Sequence, residues 1–354
     1  MSMLSRRGLI GCSICAALAA SPTVAGMAKW GRGVIDVHAH VQVTSYLQFV
    51  GLAGLKRPAL QGSPVQSKPS PAGDDEAAVA LRLAIMDEAG VDLQVLSPTL
   101  APYLADEAIG VEAARLLNDA HARLVASHPR RLASYVSLPM PHVDASLAEM
   151  RRGLDELGMA GVTMQCSCLG RSIADERFTP LFEEMNRRGA VLFLHPAVTG
   201  LASPMINDWK LTAAAGPLFE DSAVAMQLMV AGIPSRFPDI KIIVPHLGGG
   251  LSTMLERLDN QLKLSVPDLP EAPSATAKRL WYDTVSHGSS IGLKAAVAAF
   301  GADRLLPGSD FPVLLGFEPY GQTFDYIRKA GLPRGQADQI LYANAARLFG
   351  AGAV

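Results

Sequence analysis

Short β-branched runs alternate with stretches of helical spacing along most of the chain. The apolar runs Val34–Val41, Val91–Ser97, Leu132–Leu138, Gly161–Gln165, Ala190–His195, Ile240–Val244, Leu280–Val285 and Arg304–Pro307 predict eight strands. Helical spacing between them predicts helices over Asp75–Ala89, Glu107–Ser127, Asp144–Leu157, Phe178–Arg188, Phe219–Ala231, from Gly250 to Leu262, and Ile291–Phe300. Terminal helices follow at Gln322–Lys329, Gly335–Tyr342 and Asn344–Phe349. Two connections are long: Gln42–Asp74, rich in Pro, Gly and Ser with an apolar patch at Tyr46–Val50, and Pro196–Pro217. The first reads as an insertion folded over the end of the first strand. Eight strand-then-helix units predict a (β/α)8 TIM barrel over 34–354, with a long insertion after the first strand. A doubly wound open sheet is the alternative, but no Gly-x-Gly-x-x-Gly follows the first strand.

Composition narrows the partners. The 354 residues are 49% hydrophobic, enough for a large core, and 31 Lys plus Arg against 33 Asp plus Glu leave a net charge of -2. No basic surplus exists to hold nucleic acid or an anionic membrane, so a small molecule is the expected partner. The first 28 residues read as an export signal, with Arg6-Arg7, an apolar run from Leu9 to Ala20 and small residues at Thr23–Gly26. The paired arginines have the form of a twin-arginine signal, which predicts a periplasmic protein. The apolar run is too short to span a bilayer. Cys12 and Cys15 fall within the signal; Cys166 and Cys168, two residues apart in a strand, are poorly placed for a disulfide and read as free thiols near the barrel mouth.

The chemistry sits where strands end. Residues two apart in a strand share a face, so His38 and His40 can aim both imidazoles at one point. A lone His-x-His is a weak signal, but His195 closes the fifth strand, His246 the sixth, and Asp310 follows the eighth. His287 follows the seventh, while His121, His128 and His142 read as solvated surface. Convergent imidazoles with one carboxylate suit Zn²⁺, and a buried polar group at such a place needs a partner.

The His38-Ala39-His40, His195-Pro196, His246-Leu247-Gly248-Gly249 and Gly308-Ser309-Asp310-Phe311-Pro312 motifs resemble the amidohydrolase superfamily. Within it they look most like the branch of 2-amino-3-carboxymuconate-6-semialdehyde decarboxylase and related aromatic-acid decarboxylases. Pro129-Arg130-Arg131, Trp281-Tyr282-Asp283-Thr284 and the end at Asn344–Phe349 extend the match over nearly the whole mature chain. The resemblance implies one divalent metal, Zn²⁺ with Mn²⁺ or another ion as substitute, held by His38, His40, His195 and Asp310. It implies a metal-activated water and His246 as general base or acid beside it; a fifth ligand or a packed neighbour is the competing reading for His246. Asp36 would orient the metal histidines or serve as a buried structural carboxylate. His287 would contact substrate or bond only to backbone.

Arg257 matches an arginine that grips a substrate carboxylate in a neighbouring subunit's pocket, which implies a homodimer; a surface arginine paired with Glu256 or Asp259 is the alternative. Two departures bear on the substrate. Ala197 stands where the resembling decarboxylase has Trp, and Arg57 or Lys68 gives no convincing match to its loop arginine. The implied activity is metal-dependent decarboxylation of an unsaturated or aromatic carboxylic acid, as in aromatic compound catabolism. The alternative on the same site is hydrolysis of a lactone, ester or amide.

Overall fold

The computed structural model describes residues 33–54 and 70–349. The predicted export signal, with Cys12 and Cys15, and the loop residues Arg57 and Lys68 lie outside the described residues. Eight parallel strands form one sheet in chain order: β1 (Val34–His40), β2 (Val91–Ser97), β3 (Leu132–Ser137), β4 (Gly161–Gln165), β5 (Val191–His195), β6 (Lys241–Val244), β7 (Trp281–Asp283) and β8 (Leu305–Leu306). The ring closes through β1. Val37 N–H donates to Pro307 O at 2.9 Å, Asp310 N–H to His38 O at 2.9 Å and His40 N–H to Phe311 O at 2.6 Å. This is the (β/α)8 barrel that the alternating pattern predicts.

Local chemistry sets the element ends. The Asp75 side chain caps Glu76–Ala89 by accepting from Ala78 N–H, and Gly90, at φ 68°, ends that helix in the left-handed region. Asp106 caps Glu107–Ser127 in the same way. Strand β7 stops three residues in, because the Asp283 carboxylate takes the N–H of Val285 at 3.1 Å and bends the chain away. The predicted helix Asp144–Leu157 is an α-helix over Val143–Arg151 continued by a wider π-turn at Arg152–Glu156. The first insertion carries a helix, Thr44–Leu52, whose Tyr46 and Val50 are buried, with the Tyr46 hydroxyl donating to Leu100 O at 2.9 Å. A two-stranded hairpin, Ser167–Cys168 with Arg171–Ser172, was not evident from the pattern. Cys166 and Cys168 are both free and buried.

The barrel interior packs Ile35, Val37, Leu93, Val95, Tyr135, Phe193 and Ile243, and Phe349 of the last helix closes its far end. Residues of opposite parity, such as Val34 and Leu96, join the layer between strands and helices. One departure from alternation matters. The β1–β2 register runs Asp36 opposite Gln94 but Ala39 opposite Leu96, a slip of one residue. Val37 and His38 therefore both reach the interior, where His38 meets the Phe193 ring edge-on at 4.9 Å, while Asp36 stays on the outer side.

His121 corrects an expectation. The strand-end pattern leaves it as surface, but it is fully buried, on the same face of Glu107–Ser127 as Ala114, Leu117 and Asn118. Spacings of three and four residues put it there. His128 and His142 are half-buried rather than solvated, and His142 Nε2 bonds Leu104 O at 2.9 Å.

Candidate metal centre

Three imidazoles and a carboxylate converge at the carboxyl end of the barrel. One donor atom from each of His38, His40, His195 and Asp310 lies within 4.8 Å of all the others. His40 Nε2 is 3.1 Å from His38 Nε2, 3.2 Å from His195 Nε2 and 2.9 Å from Asp310 Oδ1, and His38 Nε2 is 3.5 Å from Asp310 Oδ1. A tetrahedral ion with bonds of about 2.1 Å spaces its ligand atoms about 3.4 Å apart.

Tautomers decide what this cluster can hold. His38 Nδ1 donates to Asp283 Oδ2 at 2.7 Å and His195 Nδ1 donates to Pro196 O at 2.9 Å. His40 Nδ1 faces the Ser97 hydroxyl at 3.0 Å and the Ser97 carbonyl at 3.4 Å. With Nδ1 so committed, each neutral ring turns an Nε2 lone pair inward. Burial pulls the His40 and His195 pKa values down against the opposing Asp310 carboxylate, which keeps both rings in that neutral form. Burial alone would raise the Asp310 carboxyl. The imidazoles of His40, His38 and His246 packed around it outweigh that and hold the group well below the usual carboxylate range. Lone pairs facing lone pairs and an anion repel unless a cation lies between them. The donor set thus fits a divalent metal.

His246 stands beside the four, its ring centroid 5.4 Å from that of His38. Two carboxylates fix it. Asp221 Oδ2 accepts from Nδ1 at 2.8 Å, and Asp283 Oδ1 accepts from the His246 backbone N–H at 2.8 Å. Burial would lower the His246 pKa, but the facing Asp221 carboxylate raises it to about 9; burial lifts Asp221 itself to about 6 despite that pairing. Both His246 and Asp310 hold left-handed backbone, at φ 52° and 59°, a conformation rare for residues other than glycine and stored where surrounding structure enforces it.

The remaining predicted residues stand apart from this cluster. Arg257 is exposed on the helix Leu251–Ser265 and, among the described residues, pairs with neither Glu256 nor Asp259. His287 is exposed on the loop after β7, edge-on to Phe317 at 5.1 Å. Asp36 does not touch the metal-facing rings. Its carboxylate accepts from Ser309 Oγ at 2.5 Å, Tyr320 Oη at 2.6 Å and the N–H groups of Ser309 and His38 at 3.1 and 3.2 Å.

Sequence reasoning gave no role to Asp283 and passed over Asp221. The signal for Asp221 was present: Glu220-Asp221 places two carboxylates in a mostly apolar helix, Gly216–Val230, on a face that packs inward.

The signature of the family described as "Amidohydrolase" matches residues 35–351. A 2-amino-3-carboxymuconate-6-semialdehyde decarboxylase of Dictyostelium discoideum is 29% identical over 256 residues, 70% of each chain. A 2-keto-4-carboxy-3-hexenedioate hydratase of Sphingobium sp. is 26% identical over 339 residues, 89% of this chain and 96% of its own. Among solved structures, a dihydroxybenzoic acid decarboxylase of Polaromonas sp., with bound manganese and the inhibitor 2-nitroresorcinol, superposes with TM-score 0.77 at 24% identity, covering 91% of this chain and 98% of that one.

Proposed function

The chain belongs to the amidohydrolase family, in the branch of 2-amino-3-carboxymuconate-6-semialdehyde decarboxylase, and from that premise we propose that it is a metal-dependent carboxy-lyase acting on an aromatic or unsaturated carboxylic acid. One observation carries the reading: three inward imidazole lone pairs and one ionised carboxylate meet beside a separately oriented fourth imidazole. Zn²⁺ suits the three-nitrogen, one-oxygen donor set of His38, His40, His195 and Asp310, and the manganese of the Polaromonas relative makes Mn²⁺ the competing ion. When bound, the cation supplies Lewis acidity toward a substrate oxygen.

The chain's own residues do the rest. In decarboxylation the bond between the carboxylate and its carbon breaks, the electron pair stays on that carbon, and a proton takes the vacated position. His246 is the residue that exchanges this proton, because Asp221 ties up Nδ1 and leaves Nε2 for the transfer. Asp283 holds His38 by its ring and His246 by its backbone, so one carboxylate sets the spacing between metal ligand and proton carrier. Neither Arg257 nor His287 is needed for these steps; as exposed residues they are candidates for contacts outside the cluster.

Product analysis tests the reaction. Purified, metal-loaded protein is offered hydroxybenzoates, carboxymuconate semialdehydes, lactones and unsaturated keto acids. CO₂ release without incorporation of solvent oxygen is the expected result. Lactone, ester or amide cleavage would replace the lyase with a hydrolase, and addition of water across a double bond would place the chain with its hydratase relative. His246→Ala should retain one metal per chain and lower turnover by about 10²- to 10⁴-fold. Loss of the metal from that variant would instead make His246 a ligand.

A further inference from the structure

Behind His195 lies a carboxylate that the proposed chemistry does not use. Glu220, on the helix Gly216–Val230, is 2% exposed. Its oxygens accept from four consecutive backbone N–H groups: Ala197 at 2.6 Å and Val198 at 3.1 Å on Oε2, Thr199 at 2.6 Å and Gly200 at 2.8 Å on Oε1. The Thr199 hydroxyl adds a fifth bond at 3.2 Å. Among the described residues no basic side chain pairs with Glu220, so amide dipoles and one hydroxyl meet its charge, in the manner of an anion in a backbone nest. The segment it grips is strained. Val198 has φ of 55°, with Leu201 and Ala202 just beyond at 56° and 52°, and a β-branched valine takes that conformation only when its surroundings hold it there.

The connection to the metal centre runs through a single peptide unit. The Pro196 carbonyl accepts from His195 Nδ1 at 2.9 Å, and the N–H of the same peptide plane, that of Ala197, donates to Glu220 Oε2 at 2.6 Å. We propose that Glu220 is a positioning residue for the metal ligand His195, acting through the Pro196–Ala197 peptide. The carboxylate fixes the plane of that peptide and polarises it, which makes the carbonyl a stronger and better-aimed acceptor for Nδ1–H. The ring is thereby held in the tautomer that turns Nε2 toward the other ligands. His38 receives the same service directly, from Asp283. The inference rests on the reading that the four residues hold a divalent metal.

The test is a metal titration, read independently of turnover. Metal-free wild type, His195→Ala and Glu220→Gln are titrated with Co²⁺ against a competing chelator while the visible absorption of the bound ion is recorded. Wild type should bind one ion and His195→Ala should lose it; a wild type that binds none overturns the metal reading itself. Glu220→Gln should bind about 10- to 100-fold more weakly, with an altered Co²⁺ spectrum. Wild-type affinity and spectrum in Glu220→Gln overturn the inference. Failure of that variant to fold even with metal in excess also overturns it, because the carboxylate would then be a staple for the fold. Ala197→Pro removes the N–H that couples carboxylate to peptide, besides fixing φ at that position, and should reproduce the weakened affinity; a folded Ala197→Pro chain with wild-type affinity is a second route to refutation.

Discussion

Strand β1 carries two buried polar sets, one on each face, and they differ in a way that burial alone does not reveal. On the inner face, His38 and His40 meet His195 and Asp310 with acceptor turned toward acceptor. On the outer face, donors and acceptors alternate. Arg82 Nη1 donates to Gln94 Oε1 at 2.8 Å, Gln94 Nε2 donates to Tyr320 Oη at 2.7 Å, and Tyr320 donates to Asp36 Oδ2 at 2.6 Å. Arg82 Nη2 ends the chain on His40 O at 2.6 Å, and its guanidinium lies over the Phe311 ring at 4.7 Å. The outer set satisfies itself except at Arg82 Nε, which has no partner among the described residues, and it ties elements together. The inner set is complete only with a cation. A buried polar cluster thus declares its use by its balance of donors and acceptors rather than by its polarity.

The largest effect that can break this comparison is loss of an inner ligand. His38→Ala should lose the metal and lower kcat/KM on the order of 10³-fold or more. Excess metal should stabilise wild type by about 2.7 kcal/mol at a hundredfold excess over Kd and His38→Ala by nothing measurable. Denaturant unfolding with and without added metal checks this. Equal protection of both proteins would mean that the ion binds elsewhere.

The outer set should fail differently. Arg82→Met leaves the Asp36 end of the network without its counter-charge and should cost about 3–5 kcal/mol of stability. Metal stoichiometry in the folded variant should stay at one. Burial already draws the Arg82 guanidinium down to about 10 against the opposing pull of Tyr320 and Asp36, and burial lifts the Asp36 carboxyl to about 6, so the carboxylate helps to keep the guanidinium charged. If folded Arg82→Met loses its metal, the bond to His40 O couples the two faces and the division drawn between them is wrong.

Much of the inner set was legible in the sequence, because each of its members interrupts or ends an apolar run that itself predicts a strand. His195 after Phe193-Leu194 and Asp310 after Gly308-Ser309 could be placed at one end of a barrel without coordinates. The partners were not legible. Asp283 is one more residue in a strand motif, and its bonds to His38 and His246 span 245 and 37 residues. Simple alternation would have put Asp36 on the face of His38; the one-residue slip between β1 and β2 separates them, and register slips leave no mark in hydropathy. His121 could have been found. Leu117, Asn118 and His121 follow the helical spacing that the strand-end argument left out of account.

His121 gives the smallest of these effects and the finest test of the outer layer. Its ring is fully buried, and neither nitrogen has a hydrogen-bond partner among the described residues. Burial first, then the charges of Arg82 and His40, push its pKa from 6.5 to about 3. Between those values the unfolded chain binds a proton that the folded chain refuses, so unfolding free energy rises with pH across the window and falls on acidification. From pH 7 to 5 the loss is about 2 kcal/mol for this one group. His121→Leu should lack that component. His40 and His195, whose pKa values are also lowered by burial, titrate in both proteins, so the difference reports His121 together with its coupling to His40. Urea unfolding of metal-free wild type and His121→Leu at pH 7 and pH 5 measures it. A wild type that weakens no more than the variant over that interval would assign the proton uptake to the inner histidines, and the outer layer would hold no acid-sensitive group of its own.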